Sequence, residues 1–266
     1  MKDLGWRLLT IAVGLPLVLA AIYQGGVWLL GLTLLLALVA GWEFSRLAQQ
    51  LYGGSWPLPA MLAGAAVILG SYAYGFSGWQ LGLLLGLGWL IFWGVVRAVW
   101  GGPQKAVAAL TGSLVYLLLI PSLYAFMILL REEGGRVYLL WPVVVVWGAD
   151  AGAYLFGHFL GRHPLVGPLS PGKTWEGFLG GLLVAALAGW GFASQAGWQA
   201  TLTVVESILL AVVGTLGDVV ESAFKRAAAV KDSSRLLPGH GGIWDRFDSL
   251  AAALPLAAYF LGLWNL

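Results

Sequence analysis

Apolar residues fill this chain in long, nearly continuous runs that short polar or glycine-containing segments separate. A helix needs about 20 mostly apolar residues to cross a bilayer, and the runs have roughly that length. They are continuously apolar and do not alternate, which excludes the strands of a membrane barrel. The pattern therefore predicts an all-α, polytopic integral membrane protein with about nine transmembrane helices, at residues 7–23, 27–43, 58–75, 79–96, 106–130, 137–158, 174–194, 201–220 and 244–264.

Composition agrees with this pattern and restricts the kinds of functional site that the chain can form. The chain is 60% hydrophobic and 10% charged, and it contains no cysteine. Disulfides, thiolate zinc sites and cysteine nucleophiles are therefore excluded. The net charge of +2 is too small to indicate a nucleic-acid partner.

The positions of the basic residues indicate how the helices are oriented. With nine spans and a cytoplasmic N-terminus, only Arg131 and Arg136 lie outside. The other twelve of the 14 basic residues lie in cytoplasmic segments: Lys2, Arg7, Arg46, Arg97, Lys105, Arg162, Lys173, Lys225, Arg226, Lys231, Arg235 and Arg246. Under the positive-inside rule, this distribution predicts a multi-pass protein of the inner (cytoplasmic) membrane whose polar loops face the cytoplasm.

Charged residues divide the chain into two parts. Between residues 8 and 130 the only ones are Glu43, Arg46, Arg97 and Lys105, all at or near the ends of predicted helices. We therefore interpret residues 1–135 as a transmembrane scaffold and residues 136–266 as the catalytic half. The two parts form one integral membrane unit and are not separable domains.

The sixth and eighth predicted helices carry carboxylates whose positions suggest chemistry. Asp150 lies well inside the sixth helix, where a charge costs roughly 2.5–3.5 kcal/mol and so usually faces a cavity or a partner. A packing role for Asp150 is the alternative. In the eighth helix, Asp218, Glu221, Ser222 and Lys225 form one polar stripe, with Glu221 and Lys225 spaced for an ion pair. By itself, such a stripe is more typical of a solvated face than of a site.

The segment KDSSRLLPGHGGIWDRFD, at residues 231–248, is unusually polar for this chain. Asp245 and Asp248 share one helix face, and two carboxylates one turn apart repel each other unless a cation lies between them. With Asp218 at the same predicted membrane surface, they indicate a divalent metal. The basic residues and glycines of the loop suit a metal-bound polyphosphate, whereas His240 alone is typical of an ordinary loop residue.

Residues 167–174, GPLSPGKT, match the P-loop pattern literally. Pro168 and Pro171 remove backbone donors that a phosphate cradle needs, and the flanking segments are membrane helices. We therefore reject a soluble P-loop ATPase. Ser170 and Pro171 instead favour the start of a helix, whose N-terminus together with Lys173 would attract anions.

The segment from Ser222 to Asp248 resembles the signature of phosphatidate cytidylyltransferases, also called CDP-diacylglycerol synthases. The shared pattern is S-x-x-K-R, K-D, H-G-G and D-R-x-D, and SPGKTWEGFLGG and WGADAGAY are also similar to that family. The resemblance implies transfer from CTP to phosphatidate, releasing pyrophosphate, with Mg²⁺ as cofactor.

The resemblance also implies site residues. Asp218 and Asp245 are expected to bind metal, with Asp248 and Asp150 as further candidates. Asp232 is expected to orient the loop, and Ser222 and the turn of His240, Gly241 and Gly242 to contact the nucleotide. The residues expected to neutralise phosphate are Lys173, Lys225, Arg226, Lys231 and Arg246.

Other functions stay open at this stage. A CTP-dependent lipid kinase would use similar substrates but needs a base for a hydroxyl and releases CDP. A cation or proton transporter could use Asp150, Asp218 and Glu221 as an ion path, although a dense basic loop on one side does not serve that function. A homodimer is compatible with the sequence.

Overall fold

The computed structural model describes residues 2–54, 56–237, 239 and 241–265. Most of this part of the chain is helical, and five stretches are long and apolar enough to cross a membrane: Gly26–Tyr52, Pro57–Gly101, Pro103–Leu160, Trp175–Ala196 and Ala200–Ala227. The prediction of a helical protein with membrane-crossing helices is confirmed. The helices are α1 (Lys2–Gln24), α2 (Gly26–Tyr52), α3 (Pro57–Gly101), α4 (Pro103–Leu119), α5 (Pro121–Leu160), α6 (Trp175–Ala196), α7 (Ala200–Ala227) and α8 (Trp244–Phe260), followed by a 3₁₀ turn (Leu263–Asn265).

Helix α3 folds back on itself. It has 45 residues, more than twice the number that crosses a bilayer, and its helical backbone breaks at Tyr74 and Gly75. Gly75 has φ +59°, a conformation that glycine adopts without strain. Beyond the break the chain runs back along itself, since Gly78 lies against Gly70 and Gly82 against Ala66. The two halves of α3 are therefore antiparallel helices packed through glycines.

Helix α5 has the same construction. Its 40 residues break at Gly135, where φ is +76°. Tyr124 before the break and Trp147 after it both contact Phe247 of α8. These two positions lie about equally far along the chain from Gly135, yet they meet at the same residue. The chain must therefore reverse at Gly135, and the two halves of α5 run in opposite directions. The first half lies deep in the bundle, where residues 124–130 are all buried.

A short hairpin joins α5 to α6. Strand β1 (Pro164–Val166) pairs antiparallel with strand β2 (Ser170–Thr174), so the fold is helical with one small sheet in its described part. The prediction that Ser170 and Pro171 begin a helix is wrong, because the pairing with β1 keeps them extended. Helix α6 begins at Trp175, where Thr174 Oγ1 accepts a hydrogen bond of 3.1 Å from Gly177 N.

The two ends of the bundle differ in their polar contacts. At one end, the break in α5 meets the junction of α1 and α2: Arg131 Nε donates to Ile22 O at 2.7 Å, and Glu132 Oε1 accepts from Gly26 N at 2.7 Å. The opposite end holds the β1–β2 hairpin, the end of α7, the start of α8 and the loop between them. The sequence-predicted site residues lie at this second end.

Candidate active site

Three carboxylates from two helices meet at this end of the bundle. One carboxylate oxygen each of Asp218, Glu221 and Asp248 lies within 4.8 Å of the others. Helix α7 supplies Asp218 and Glu221 one turn apart, and the start of α8 supplies Asp248. The helices approach closely because Gly217 has no side chain, and a Cβ there would lie 2.6 Å from Ala252 Cβ. We call these three residues the acidic cluster.

The predicted meeting of Asp218 with Asp248 is thus present, and Asp150 lies beside them. Asp150, on α5, is near enough to Asp218 and Asp248 for their charges to interact. Lys173 and Arg246 also act on Asp150 electrostatically. Four carboxylates and two basic residues from four separate elements therefore share one region.

Asp245 lies outside the acidic cluster, although the sequence suggested it as a principal metal ligand. Its Oδ1 accepts from Lys225 Nζ at 2.6 Å, and its Oδ2 accepts from Gly242 N at 2.6 Å and from Ser233 Oγ at 2.9 Å. Its side chain is only 3% exposed. In this structure, Asp245 holds Lys225 and the loop together, and Glu221 occupies the place in the cluster that was expected for Asp245.

Glu221 is the residue whose surroundings differ most from the sequence interpretation. A solvated face was expected, but Glu221 is only 2% exposed. The neighbouring helix α8 covers the stripe, so the interpretation of a solvated face is wrong. The predicted ion pair with Lys225 is confirmed, at 2.5 Å between Glu221 Oε2 and Lys225 Nζ.

Two lysines lie between the carboxylates. Lys225 Nζ bridges Glu221 and Asp245, and Lys173 Nζ lies 2.7 Å from Asp218 Oδ2. Five carboxylates (Asp150, Asp218, Glu221, Asp245 and Asp248) thus face these two lysines, with Arg246 nearby. Carboxyl groups that outnumber the lysines and repel one another when ionised suit a divalent cation.

The acidic cluster fits a hard metal ion such as Mg²⁺. All its ligand atoms are carboxylate oxygens, which Mg²⁺ prefers. Glu221 Oε1 is buried and accepts no hydrogen bond from any residue in the described part of the chain, so it is free to bind a cation. Oxygens on opposite sides of Mg²⁺ are roughly 4.2 Å apart, close to the observed spread of the cluster.

The glycines after residue 238 bring the backbone against Asp245. Gly241 has φ +86°, and a Cβ there would lie 2.7 Å from Asp245 Oδ2. Gly242 is buried, and a Cβ there would overlap Ser233 Oγ and Glu43 Oε1. The anions that this turn contacts in the structure are therefore the carboxylates of Asp245 and Glu43, whereas the sequence suggested a phosphate.

The other predicted site residues lie around this centre. Ser222 Oγ donates to Asp218 Oδ1 at 3.3 Å, and Arg226 donates to the carbonyls of Leu169 and Val230, which ties α7 to the hairpin and the loop. His240 lies outside the described residues. Three predicted residues are exposed and form no ion pair with another described residue: Lys231, Asp232 and Arg246.

One residue at this end was missed by the sequence analysis. Glu43, on α2, is fully buried, and it accepts hydrogen bonds from the loop before α8 and from the first turn of α8. Its position near the end of an apolar run suggested an interfacial residue of the scaffold. The signal that could have found it is its isolation, because it is the only carboxylate between Asp3 and Glu132.

Comparison with known proteins agrees with the family resemblance of residues 222–248. The sequence profile of the cytidylyltransferase family matches residues 5–264. A phosphatidate cytidylyltransferase of Staphylococcus epidermidis is 34% identical over 253 residues, which cover 94% of this chain and 96% of the relative.

Two further relatives match over shorter regions. The phosphatidate cytidylyltransferase of Staphylococcus haemolyticus is 46% identical over 127 residues, 47% of this chain and 49% of the relative. The enzyme of that name from Haemophilus influenzae is 42% identical over 132 residues, 47% of this chain and 46% of the relative. In these two alignments the matched region therefore spans about half the length of each relative.

Proposed function

This chain belongs to the cytidylyltransferase family, and we propose that it makes CDP-diacylglycerol and pyrophosphate from CTP and phosphatidate by a metal-assisted reaction. It is a nucleotidyltransferase of phospholipid biosynthesis. The observation that carries the mechanism is the acidic cluster of Asp218, Glu221 and Asp248, surrounded by lysines at one end of a membrane bundle. A water-soluble triphosphate and a lipid phosphate can both reach such a place.

The proposed reaction is a direct displacement. An oxygen of the phosphatidate phosphate attacks the α-phosphorus of CTP, and the bond from that phosphorus to the oxygen bridging to the β-phosphate breaks. Pyrophosphate leaves with the electron pair of the broken bond. The second pKa of a phosphate monoester is about 6, so the nucleophile is already largely ionised near neutral pH. The reaction therefore needs no general base from the protein.

Alignment and charge neutralisation are then the main tasks of the side chains. Asp218, Glu221 and Asp248 would hold Mg²⁺, with Asp150 as a nearby further carboxylate. When bound, Mg²⁺ supplies neutralisation of charge on the phosphate oxygens. The Lys173 side chain is about one-fifth exposed. Because its ammonium group is carried on a flexible four-carbon chain, it can turn from Asp218 towards a phosphate.

The loop and helix start carry the remaining groups of the proposal. Asp245 holds Lys225 and the backbone of Gly242, which fixes the loop. The exposed side chains of Lys231 and Arg246 are available to the triphosphate or the lipid phosphate. Asp232 orients the loop, and Ser222 orients Asp218 through its hydroxyl.

We further propose nine membrane crossings with a cytoplasmic N-terminus, in the inner membrane. The folding back of α3 at Gly75 and of α5 at Gly135 supports this number. The contacts of Arg131 and Glu132 with the α1–α2 junction also support nine crossings. They join the reversal of the chain between α1 and α2 to the reversal within α5, so both lie at the same end of the bundle. The acidic cluster then lies at the cytoplasmic end, together with most of the basic residues.

A labelling experiment tests the reaction. Purified protein is incubated with phosphatidate micelles, Mg²⁺ and CTP labelled on the α-phosphate, and the lipid is then extracted. We expect label in the lipid phase, an equal amount of pyrophosphate, and loss of both when EDTA is present. Unlabelled lipid together with CDP would instead indicate a lipid kinase, and cation flux into liposomes without CTP would indicate a transporter.

A further inference from the structure

Glu43 joins the N-terminal half of the chain to the loop between α7 and α8. It lies on α2, about 190 residues before its partners, and is 0% exposed. Its Oε1 accepts from Ser234 Oγ at 2.6 Å and from Ile243 N at 3.0 Å. Its Oε2 accepts from Trp244 N at 2.8 Å and lies 3.3 Å from Ser233 Oγ. Both carboxylate oxygens thus contact the middle of the loop, at residues 233–234, and its junction with α8, at residues 243–244.

Part of this contact caps α8. The backbone N–H groups at the start of a helix have no partners within the helix, and Ile243, at the cap position, offers no side-chain acceptor. Glu43 supplies the missing acceptor from another helix, and a negative charge at this end also complements the helix dipole. The capped turn carries Asp245 and is followed at once by Asp248. Glu43 therefore fixes where α8 begins.

Ser233 connects Glu43 to Asp245. Its hydroxyl lies 2.9 Å from Asp245 Oδ2 and 3.3 Å from Glu43 Oε2, and its backbone N donates to Asp245 at 3.0 Å. A hydroxyl has a single hydrogen, so it donates to one carboxylate at a time, and the shorter distance favours Asp245. Glu43 and Asp245 thus hold the same serine from two sides. The loop can keep its shape only if both carboxylates stay in place.

Gly242 shows how tightly the parts fit. A Cβ at this position would overlap both Ser233 Oγ and a carboxylate oxygen of Glu43. The backbone of the glycine turn therefore lies directly against Glu43, with no space for an intervening water or side chain. A fully buried carboxylate is costly unless its partners are positioned for it, and here three donors converge on it: Ser234 Oγ, Ile243 N and Trp244 N.

We propose that Glu43 is a positioning residue for the reaction, which fixes the loop and the first turn of α8 so that Asp245 holds Lys225 and Asp248 joins Asp218 and Glu221. This inference rests on the proposed function, because the residues it positions are those of the proposed metal and phosphate site. Glu43 itself lies behind the loop and acts through Ser233, Ser234 and the backbone of α8. A residue of the presumed scaffold thereby becomes part of the catalytic unit.

The test compares Glu43→Gln with a matched control, Glu206→Gln. Glutamine keeps the shape of Glu43 but replaces one acceptor oxygen with an amide NH₂, which cannot accept from the donors that face it. Glu206 lies near the opposite end of α7, away from the site. For each purified variant, kcat, the KM of CTP, the KM of phosphatidate and the Mg²⁺ concentration for half-maximal activity are measured well below its Tm.

For Glu43→Gln we expect kcat to fall roughly 10- to 100-fold, because displaced groups lose the alignment that speeds the reaction. The KM of phosphatidate should change by less than about threefold, and half-maximal activity should need more Mg²⁺. Glu206→Gln should match the parent in every measurement. A folded Glu43→Gln protein with parental kcat and parental Mg²⁺ dependence would overturn the inference.

A second variant decides the case in which Glu43→Gln does not fold. Ser234→Ala removes the shortest contact of Glu43 and leaves its backbone contacts. We expect a smaller fall in kcat with the same rise in the Mg²⁺ requirement, and unchanged values would count against Glu43 as a positioning residue. If the parent protein itself transfers no label to lipid, the proposed function fails, whereas an active parent with unaffected variants refutes this inference alone.

Discussion

Lys173 Nζ lies 2.7 Å from Asp218 Oδ2, and this contact joins strand β2 to helix α7. The contact holds the hairpin next to the acidic cluster. The segment that matches the P-loop pattern thus contributes its lysine to an ion pair with Asp218. Its lysine reaches Asp218 from an extended strand at the same end of the bundle. The pair is partly exposed, at 21% and 32% of the two side chains, so it is open to exchange for a phosphate.

Replacing Lys173 should impair the reaction and leave the fold intact. The substitution Lys173→Met keeps the apolar stem and removes the charge. Partly exposed ion pairs contribute only about 0–1 kcal/mol, so Tm should change little. We expect kcat/KM for CTP to fall roughly 100-fold, measured by release of pyrophosphate. Lys105→Met, on the exposed start of α4, is the matched control, and a parental kcat/KM in Lys173→Met would contradict the proposed role.

Glu221 and Asp245 should respond differently to the loss of their charges. Glu221→Gln removes a member of the acidic cluster, so half-maximal activity should require at least about tenfold more Mg²⁺. Asp245→Asn disturbs the contacts of Lys225, Ser233 and Gly242, and unsatisfied buried groups cost about 1–3 kcal/mol. We therefore expect Asp245→Asn to lower Tm by roughly 5 °C.

The two variants are distinguished by measuring activity against Mg²⁺ concentration and Tm for each. Excess Mg²⁺ should restore part of the activity of Glu221→Gln but not that of Asp245→Asn. If Asp245→Asn were the variant with the shifted Mg²⁺ requirement and an unchanged Tm, then Asp245 would be the metal ligand, as the family resemblance implies.

Gly242 should not tolerate even a methyl group. In Gly242→Ala, the new Cβ would overlap Ser233 Oγ and Glu43 Oε1, and the loop would have to shift away from α2. A displacement of about 1 Å is enough to reduce turnover roughly 100-fold. Gly191→Ala, where the added Cβ would have no atom within 4 Å, should retain parental activity. Equal activity in the two variants would show that the loop is not held as tightly as the contacts indicate.

Topology can be tested directly because the chain contains no cysteine. Single cysteines are introduced at two exposed positions, Gln104→Cys in the first turn of α4 and Gln199→Cys between α6 and α7. In intact cells, a membrane-impermeant maleimide should label position 199 and spare position 104 until the membrane is opened. The reverse pattern would place the acidic cluster outside and contradict the cytoplasmic site.

Much of the fold follows from local patterns. The apolar runs located the helices, because a segment in a bilayer must satisfy its backbone hydrogen bonds internally. The break at Gly135 falls between two runs that the sequence had separated, and the break at Tyr74 and Gly75 falls at the end of the run predicted for residues 58–75. The hairpin of residues 164–174 was not predicted, since its two strands are three and five residues long and pair only with each other.

The acidic cluster was predicted only in part. The polar stripe of the eighth predicted helix identified Asp218, and the polar segment at residues 231–248 identified Asp248. Their proximity depends on the close packing of α7 and α8 at Gly217. Spacing along one helix could not distinguish Asp245 from Glu221. In the structure, Asp245 on α8 accepts hydrogen bonds from the loop. Glu221 on α7 is buried because α8 packs against it. The membership of the acidic cluster is thus decided by contacts between helices, which sequence spacing along one helix does not report.

By itself, the sequence determined the helical fold with membrane-crossing helices and the family, and it predicted a site within residues 150–248, because length, apolarity and motif are properties of the chain. Only the tertiary structure decided that Glu43 of the first half caps α8 and that Glu221 joins Asp218 and Asp248. These relations join residues up to 201 positions apart. Packing creates them, since a buried carboxylate is stable only where donors or cations from other elements surround it.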